Sequence, residues 1–297
     1  MAFGADRPRD QPRARAEPCQ VSGLGRYGPS PHTGRTRAPG PEVPAHLRVS
    51  RRPPAGSPAG PPLRSPPRPC PALLPRAPFR RRLVRVIRAV AFDIGETLVR
   101  DDRYWAGWAD WLGVPRHTMA ALVGAVVGQG RDSGDALRLL RPGIDIGAEY
   151  RAREAAGRGE HLDESDLHPD VRPALTALRE AGFRVVVAGN QTARAGQLLR
   201  ALDLPADAVA TSEEWGVAKP SAGFYARVTE LADAAPQEIV YVGDHPVNDV
   251  APAKAYGLRV AHLRRGPWGH LWAGTPETEP ADWHLDSLHD LRGLITS

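Results

Sequence analysis

The feature that most constrains this chain is a set of four short apolar runs, each closing on polar residues. They are Val86–Phe92, Phe183–Ala188, Ile239–Val242 and Leu258–His262. Runs this short, rich in β-branched residues and without polar alternation, are strands buried on both faces. Helical patterns lie between them. Val171, Leu175 and Leu178 share one helical face, with Asp170 placed to cap the start and Gly182 to stop the helix. Leu198, Leu199 and Leu202 mark a helix after Thr192, and Asp249 to Tyr256 a further one, with Pro252 near its start and Gly257 at its end. Strand–helix alternation of this kind requires a parallel sheet. The expected fold is α/β, a Rossmann-like parallel sheet with helices on both faces, and ligands should bind at the carboxyl ends of its strands.

One stretch breaks the alternation. Residues 100–167 hold no strand pattern and read as the helices Tyr104–Leu112, Thr118–Gln129, Asp135–Leu140 and Ala148–Ala156. A helical insert after the first strand would form a cap over the edge where ligands bind. Within it, Tyr104, Trp105, Trp108, Trp111 and Leu112 recur at helical spacing, the pattern of an internal cap core; the sharper alternative turns one Trp toward a substrate.

Composition divides the chain. Residues 1–80 hold 19 of the 31 prolines and little aliphatic surface, so residues 1–85 are expected to form a disordered Pro/Arg-rich tail. Residues 1–88 carry 18 Arg and no Lys against four acidic residues, a balance of +14. With the whole chain at +5, residues 89–297 carry −9, so the basic isoelectric point says nothing about the partners of the folded part. The Arg80–Arg82 cluster reads as a solvated boundary rather than a nucleic-acid or membrane contact. An Arg/Pro/Ala/Gly bias is also what a GC-rich frame yields upstream of a misplaced start; Val84 or Val86 would then be the true start. Both cysteines, Cys19 and Cys70, lie in the tail, so neither a disulfide nor a thiolate serves residues 89–297. No secretory leader and no membrane span is evident, and the expectation is a soluble cytoplasmic protein.

The polar residues that close the strands form a constellation. Asp93-Ile94-Gly95-Glu96-Thr97-Leu98 follows the first strand and Gly189-Asn190-Gln191-Thr192 the second. Lys219-Pro220 precedes a helix beginning near Ser221, and Gly243-Asp244-His245-Pro246-Val247-Asn248-Asp249 follows a later strand. Taken singly, each Asp is a turn former or helix cap and Lys219 a surface residue. In this order the four segments resemble the motifs of the haloacid-dehalogenase-like (HAD) hydrolase superfamily, from about Val86 to the C-terminus, with a helical cap after the first strand.

The resemblance implies a magnesium-dependent phosphatase acting on a small phosphorylated metabolite. Asp93 would attack phosphorus and form an aspartyl-phosphate. Asp93, the backbone carbonyl of Gly95, Asp244 and Asp249 would hold Mg²⁺. Asn190 and Thr192 would bind the phosphoryl oxygens, and Lys219 would place positive charge beside the nucleophile. Asn248 would support Lys219 and the metal's waters.

Two positions depart from the family. Its phosphatases usually carry a second Asp two residues after the nucleophile, to protonate the leaving group; here that residue is Gly95, as in some branches of the family that open with Asp-x-Gly. The usual Ser or Thr closing the second strand is Gly189. Glu96 could replace the missing acid, although a solvated turn residue is the plainer reading. Two alternatives stand beside the phosphatase: a metal-independent dehalogenase, and a weakly active or inactive binding or scaffold protein that keeps the fold. His117, His161, His168, His245, His262 and His270 lack the spacing of a metal site; His245 adjoins Asp244 and reads as a helix-start residue.

Overall fold

A computed structural model of the protein describes residues 86–296. The tail expected through residue 85, with the Arg80–Arg82 cluster and the candidate start Val84, lies outside the described residues. Among those residues no helix is long and apolar enough to cross a membrane.

The chain runs β1 (Ala89–Phe92), α1 (Asp102–Leu112), α2 (Arg116–Val127), α3 (Asp135–Leu140), α4 (Ile146–Ala155), α5 (Val171–Glu180) and β2 (Arg184–Gly189). It continues through α6 (Ala193–Ala201), β3 (Ala208–Thr211), α7 (Ser212–Trp215), α8 (Ala222–Ala232), β4 (Ile239–Gly243), α9 (Ala251–Tyr256), β5 (Arg259–Leu263), α10 (Gly266–Leu271), β6 (Trp283–Leu285) and α11 (Leu291–Thr296). All strands join one sheet of order β3-β2-β1-β4-β5-β6, and every pairing is parallel. The expected α/β fold is present. Because β1 has β2 on one side and β4 on the other, strand order reverses at β1, and the crevice of such a sheet opens at that point.

Successive side chains of a strand face opposite ways. Val90 and Phe92 of β1 pack with Val187, Val242, Leu175 and Leu178 on one face of the sheet. Ala89 and Ala91 pack with Ile239, Tyr241, Phe224 and Val228 on the other. All four residues of β1 are 0% exposed, which is why its sequence reads as a continuous apolar run. Two strands escaped the sequence pattern. β3 and β6 are short edge strands, and the compositions AVAT and WHL carry no β-branched run. Asp170 also differs from expectation. It occupies the position before α5 without capping it; its carboxylate instead accepts from Arg265 Nη2 (2.6 Å), Ser287 Oγ (2.9 Å) and Leu288 N (2.9 Å). A buried carboxylate is satisfied best by a cation, and Arg265 outcompetes the helix amides.

Helices α1 to α4 occupy the interruption anticipated at 100–167. Their apolar core holds Trp108, Met119, Val123, Val126 and Leu137, with Trp105, Trp111 and Leu112 packed against it, so most of the aromatic stripe is packing. Trp268 of α10 joins the same cluster and donates to Ser133 Oγ, while Trp272 Nε1 donates to the Val127 carbonyl, fixing the cap to the sheet domain. The chain enters and leaves the cap side by side: Val99 and Leu167 form an antiparallel bridge, flanked by Arg100 N to the Asp166 carbonyl (2.8 Å) and His168 N to the Leu98 carbonyl (3.0 Å).

Candidate active site

Asp93 is the first residue past β1, and its backbone N–H still donates to the Val242 carbonyl of β4 (2.8 Å). Its carboxylate is therefore carried by the central strand. Lys219 Nζ donates to Asp93 Oδ1 at 2.5 Å and to Asp249 Oδ1 at 2.7 Å, with its side chain 3% exposed. One oxygen from each of Asp93, Asp244 and Asp249 lies within 4.8 Å of the others. Three buried carboxylates against one ammonium leave two uncompensated negative charges. Burial, only partly offset by Lys219, pushes Asp93 up to about 6. Burial, then the charges of Asp249 and Asp93, push Asp244 well above the carboxylate range. Burial alone would lower the Lys219 ammonium; Asp249 and Asp93 outweigh it and hold Lys219 charged.

Local backbone explains how these groups meet. After β4 the chain makes one wide helical turn, Pro246–Val250, before α9. Such turns recur at functional sites because the extra residue re-aims side chains. Here the turn folds Asp249 back so that its Oδ2 accepts from His245 N (2.8 Å). The Asp249 carboxylate lies where a Cβ of Gly243 would stand, so residue 243 must be glycine. His245 reads as anticipated at a helix start: its Nδ1 accepts from Val247 N and Asn248 N. Its ring stacks on Trp268 at 3.8 Å, and burial beside Lys219 lowers it to about 3, so it is neutral. The Asn248 side chain has no hydrogen bond to Lys219 among the described residues; its backbone carbonyl accepts from the Tyr225 hydroxyl and its N–H donates to His245 Nδ1.

Hard oxygen donors gathered around excess negative charge suit a divalent cation. Asp244 is the open member, since its carboxylate accepts no hydrogen bond among the described residues. The Gly95 carbonyl is likewise without a donor among them. These residues fit the magnesium set expected from the sequence.

The second strand's residues have tasks that differ from expectation. Asn190 Oδ1 accepts from Lys219 N (2.8 Å) and its Nδ2 donates to the Lys219 carbonyl (3.0 Å). Asn190 thus grips the backbone that presents the lysine, and its second amide hydrogen has no acceptor among the described residues. Thr192 departs further from a phosphate contact. Its hydroxyl accepts from Ala195 N at the start of α6 and donates to Glu160 Oε2 at 2.6 Å. Glu160 also accepts from the Tyr150 hydroxyl (2.5 Å), so it ties the cap to the sheet domain. Gly189 has a steric reason: a Cβ there would stand 2.6 Å from Asp93 Oδ1. A serine or threonine at this position is incompatible with the Asp93 side chain as it stands.

Glu96 is half-buried rather than a solvated turn residue, and it adopts a positive φ of 51°. Its carboxylate accepts from Asp101 N (3.2 Å) and faces His168 Nε2 at 3.7 Å. Sequence reasoning passed over Asp101, eight residues beyond Asp93. Directly before a helix it reads as an ordinary cap, yet its side chain caps nothing. Both carboxyl oxygens instead lie 3.5 Å from the point where a Cβ of Gly95 would stand. Burial, then the charges of Glu96 and Asp93, push the Asp101 carboxyl well above its ordinary range.

Comparison with known proteins agrees with this geometry. A protein-family model for haloacid dehalogenase-like hydrolases matches residues 87–257. The chain is 33% identical over 126 residues to haloacid dehalogenase-like hydrolase domain-containing protein 3 of Xenopus laevis, covering 41% of this chain and 47% of that protein. It is 36% identical over 143 residues to a ribulose-1,5-bisphosphate 5-phosphatase of Halopiger xanaduensis, covering 46% and 59%. The chain thus spans about half the length of these curated relatives. A solved dehalogenase superposes with a TM-score of 0.53 at 21% identity, covering 71% of this chain and 98% of that one, a likeness of fold. With the motif residues gathered at the carboxyl edge of the sheet and more than half of the sequence matched, the chain belongs to the haloacid dehalogenase-like hydrolases.

Proposed function

We propose that this hydrolase cleaves a small phosphomonoester through a phosphoenzyme on Asp93. The observation that carries the reading is the cluster of three buried carboxylates within 4.8 Å of one another around the Lys219 ammonium. Asp93, Asp244, Asp249 and the Gly95 carbonyl would hold Mg²⁺, which when bound offsets the charge of the cluster and of the incoming phosphate. The chain's own groups do the rest. The strand end aims the Asp93 carboxylate at phosphorus, so that attack needs no rearrangement of the nucleophile. Lys219, fixed through its backbone by Asn190 and through Nζ by Asp249, keeps a positive charge beside the transferring group. The relative from Halopiger xanaduensis, a phosphatase of a sugar bisphosphate by its name, supports a small phosphorylated substrate.

A metal-independent dehalogenase has no use for Asp244, an additional buried carboxylate that accepts no hydrogen bond among the described residues. The reading is tested with a panel of phosphomonoesters, with and without Mg²⁺, and with Asp93→Asn as control. Turnover should require the metal and vanish in Asp93→Asn while the melting temperature holds. Turnover that survives in excess chelator, or in Asp93→Asn, overturns it.

A further inference from the structure

Phosphoryl transfer from an alkyl ester expels an alkoxide, a poor leaving group unless it is protonated as it departs. The groups around Asp93 are almost all engaged. Lys219 is held between Asp93 and Asp249, and Asp244 belongs to the cation set. Glu96 accepts from Asp101 N, Glu160 accepts two hydroxyl protons, and His245 Nδ1 accepts two backbone amides. Asp101 is different. Its carboxyl accepts no hydrogen bond among the described residues, although it stands at a helix start where capping would be the normal use of an Asp. It turns inward instead, into the room left beside the side-chain-less Gly95, two residues from the nucleophile.

We infer that Asp101, at the start of the first cap helix, is the proton donor to the leaving group and the proton acceptor for water in the second step. The inference rests on the phosphatase reading. In the first step an Asp93 oxygen bonds to phosphorus, the bond from phosphorus to the ester oxygen breaks, and that oxygen takes the proton of the Asp101 carboxyl. In the second, Asp101 as carboxylate accepts a proton from the attacking water. The bond between Asp93 and phosphorus breaks, inorganic phosphate leaves, and both carboxyls return to their starting states. The acid therefore arrives from the cap, beyond the strand that carries the nucleophile.

The test compares an aryl phosphate, whose phenolate leaves unaided, with an alkyl phosphate, in the full chain and in Asp101→Asn. With p-nitrophenyl phosphate, rapid mixing of Asp101→Asn should still release about one phenolate per enzyme in a burst, then turn over slowly as phosphoenzyme accumulates. With the alkyl phosphate the burst should disappear, and turnover should fall about 10²–10³-fold, the range of positioned acid catalysis. Gly95→Asp should restore alkyl turnover in the Asp101→Asn background, because residue 95 has a negative φ and its Cβ meets neighbours only at ordinary contact distances of 3.4–3.5 Å. The retained aryl burst reports an intact fold, and Asp101→Ser repeats the measurement with a smaller side chain. An alkyl rate unchanged in both variants, or aryl and alkyl bursts lost in equal measure, overturns the role of Asp101 and leaves the phosphatase reading standing. Absence of any phosphoenzyme in the wild type overturns both.

Discussion

Lowering the pH from about 7.5 to about 5 should weaken Mg²⁺ binding about tenfold or more, because protons and metal compete for the same buried oxygens. The size follows from Asp93, whose proton is held up to about 6 by burial. At about pH 5, one unit below, roughly ten of every eleven molecules carry that proton, and displacing it costs about 1.4 kcal/mol. Asp244, raised further by its burial and its neighbours, acts in the same direction. His245, held near 3, is neutral at both pH values and leaves binding untouched. Thermal stability of the metal-free protein does not isolate the effect, because the two groups have opposite signs. Asp93, raised above its ordinary 3.8, contributes stability that is full below 3.8 and lost as pH rises through about 6. His245, lowered from 6.5 to about 3, contributes stability that grows as pH rises toward 6.5. Calorimetric titration with Mg²⁺ reads the cluster directly, in the wild type and in Asp244→Asn. Equal affinity at the two pH values, or an affinity unaltered in Asp244→Asn, refutes the assignment of these carboxylates to the metal.

Three further outcomes are expected. Gly189→Ala puts a Cβ 2.6 Å from Asp93 Oδ1, so the nucleophile must swing away; kcat should drop by about 10²-fold with KM little altered, and steady-state kinetics measure the split. Asp170→Ala strands the part-buried Arg265 guanidinium and should cost about 3 kcal/mol, read by urea unfolding, with kcat unchanged because neither residue touches the cluster. Removing residues 1–83, which contain 19 prolines and few large apolar groups, should leave melting temperature and turnover as they are; a fall of several degrees would contradict the reading of that segment as an unpacked tail.

The sheet's centre was legible because β1 and β4 are buried along their whole length and β2 and β5 are buried after their first residue, so each carries an apolar run. β3 and β6 sit at the edges, where less burial is demanded, and their sequences carry no such signal. The same distinction runs through the site. Asp93 and Asp244 were readable because each directly follows an apolar strand and, with Asp249 in the turn beyond β4, keeps the order of a known family. Asp101 was not, because an Asp before a helix is commonplace and only the fold reveals that its carboxyl points elsewhere. Thr192 misled for a related reason: its hydroxyl can face a phosphate or a cap residue, and Glu160, some thirty residues earlier in the chain, decides. Gly189 and Gly95 look like losses in the sequence. In three dimensions the first clears space for Asp93, and the second opens room that Asp101 faces.

The paired stems at Val99 and Leu167 treat everything between them as the loop of a hairpin. The sheet domain also holds the cap through Trp268, Trp272 and Thr192, but the register of β1 is set by its strand partners and by residues 99 and 167 lying opposite each other, so helices that keep those contacts can vary without disturbing it. A cap held this way is an exchangeable module: grafting another family member's insert between the same two stems should transplant substrate preference while leaving the cation cluster intact. If Asp101 supplies the proton, the freedom has a limit one step inside the entry stem. The module's first helix would have to bring its own acid, or the recombination point would have to lie beyond residue 101.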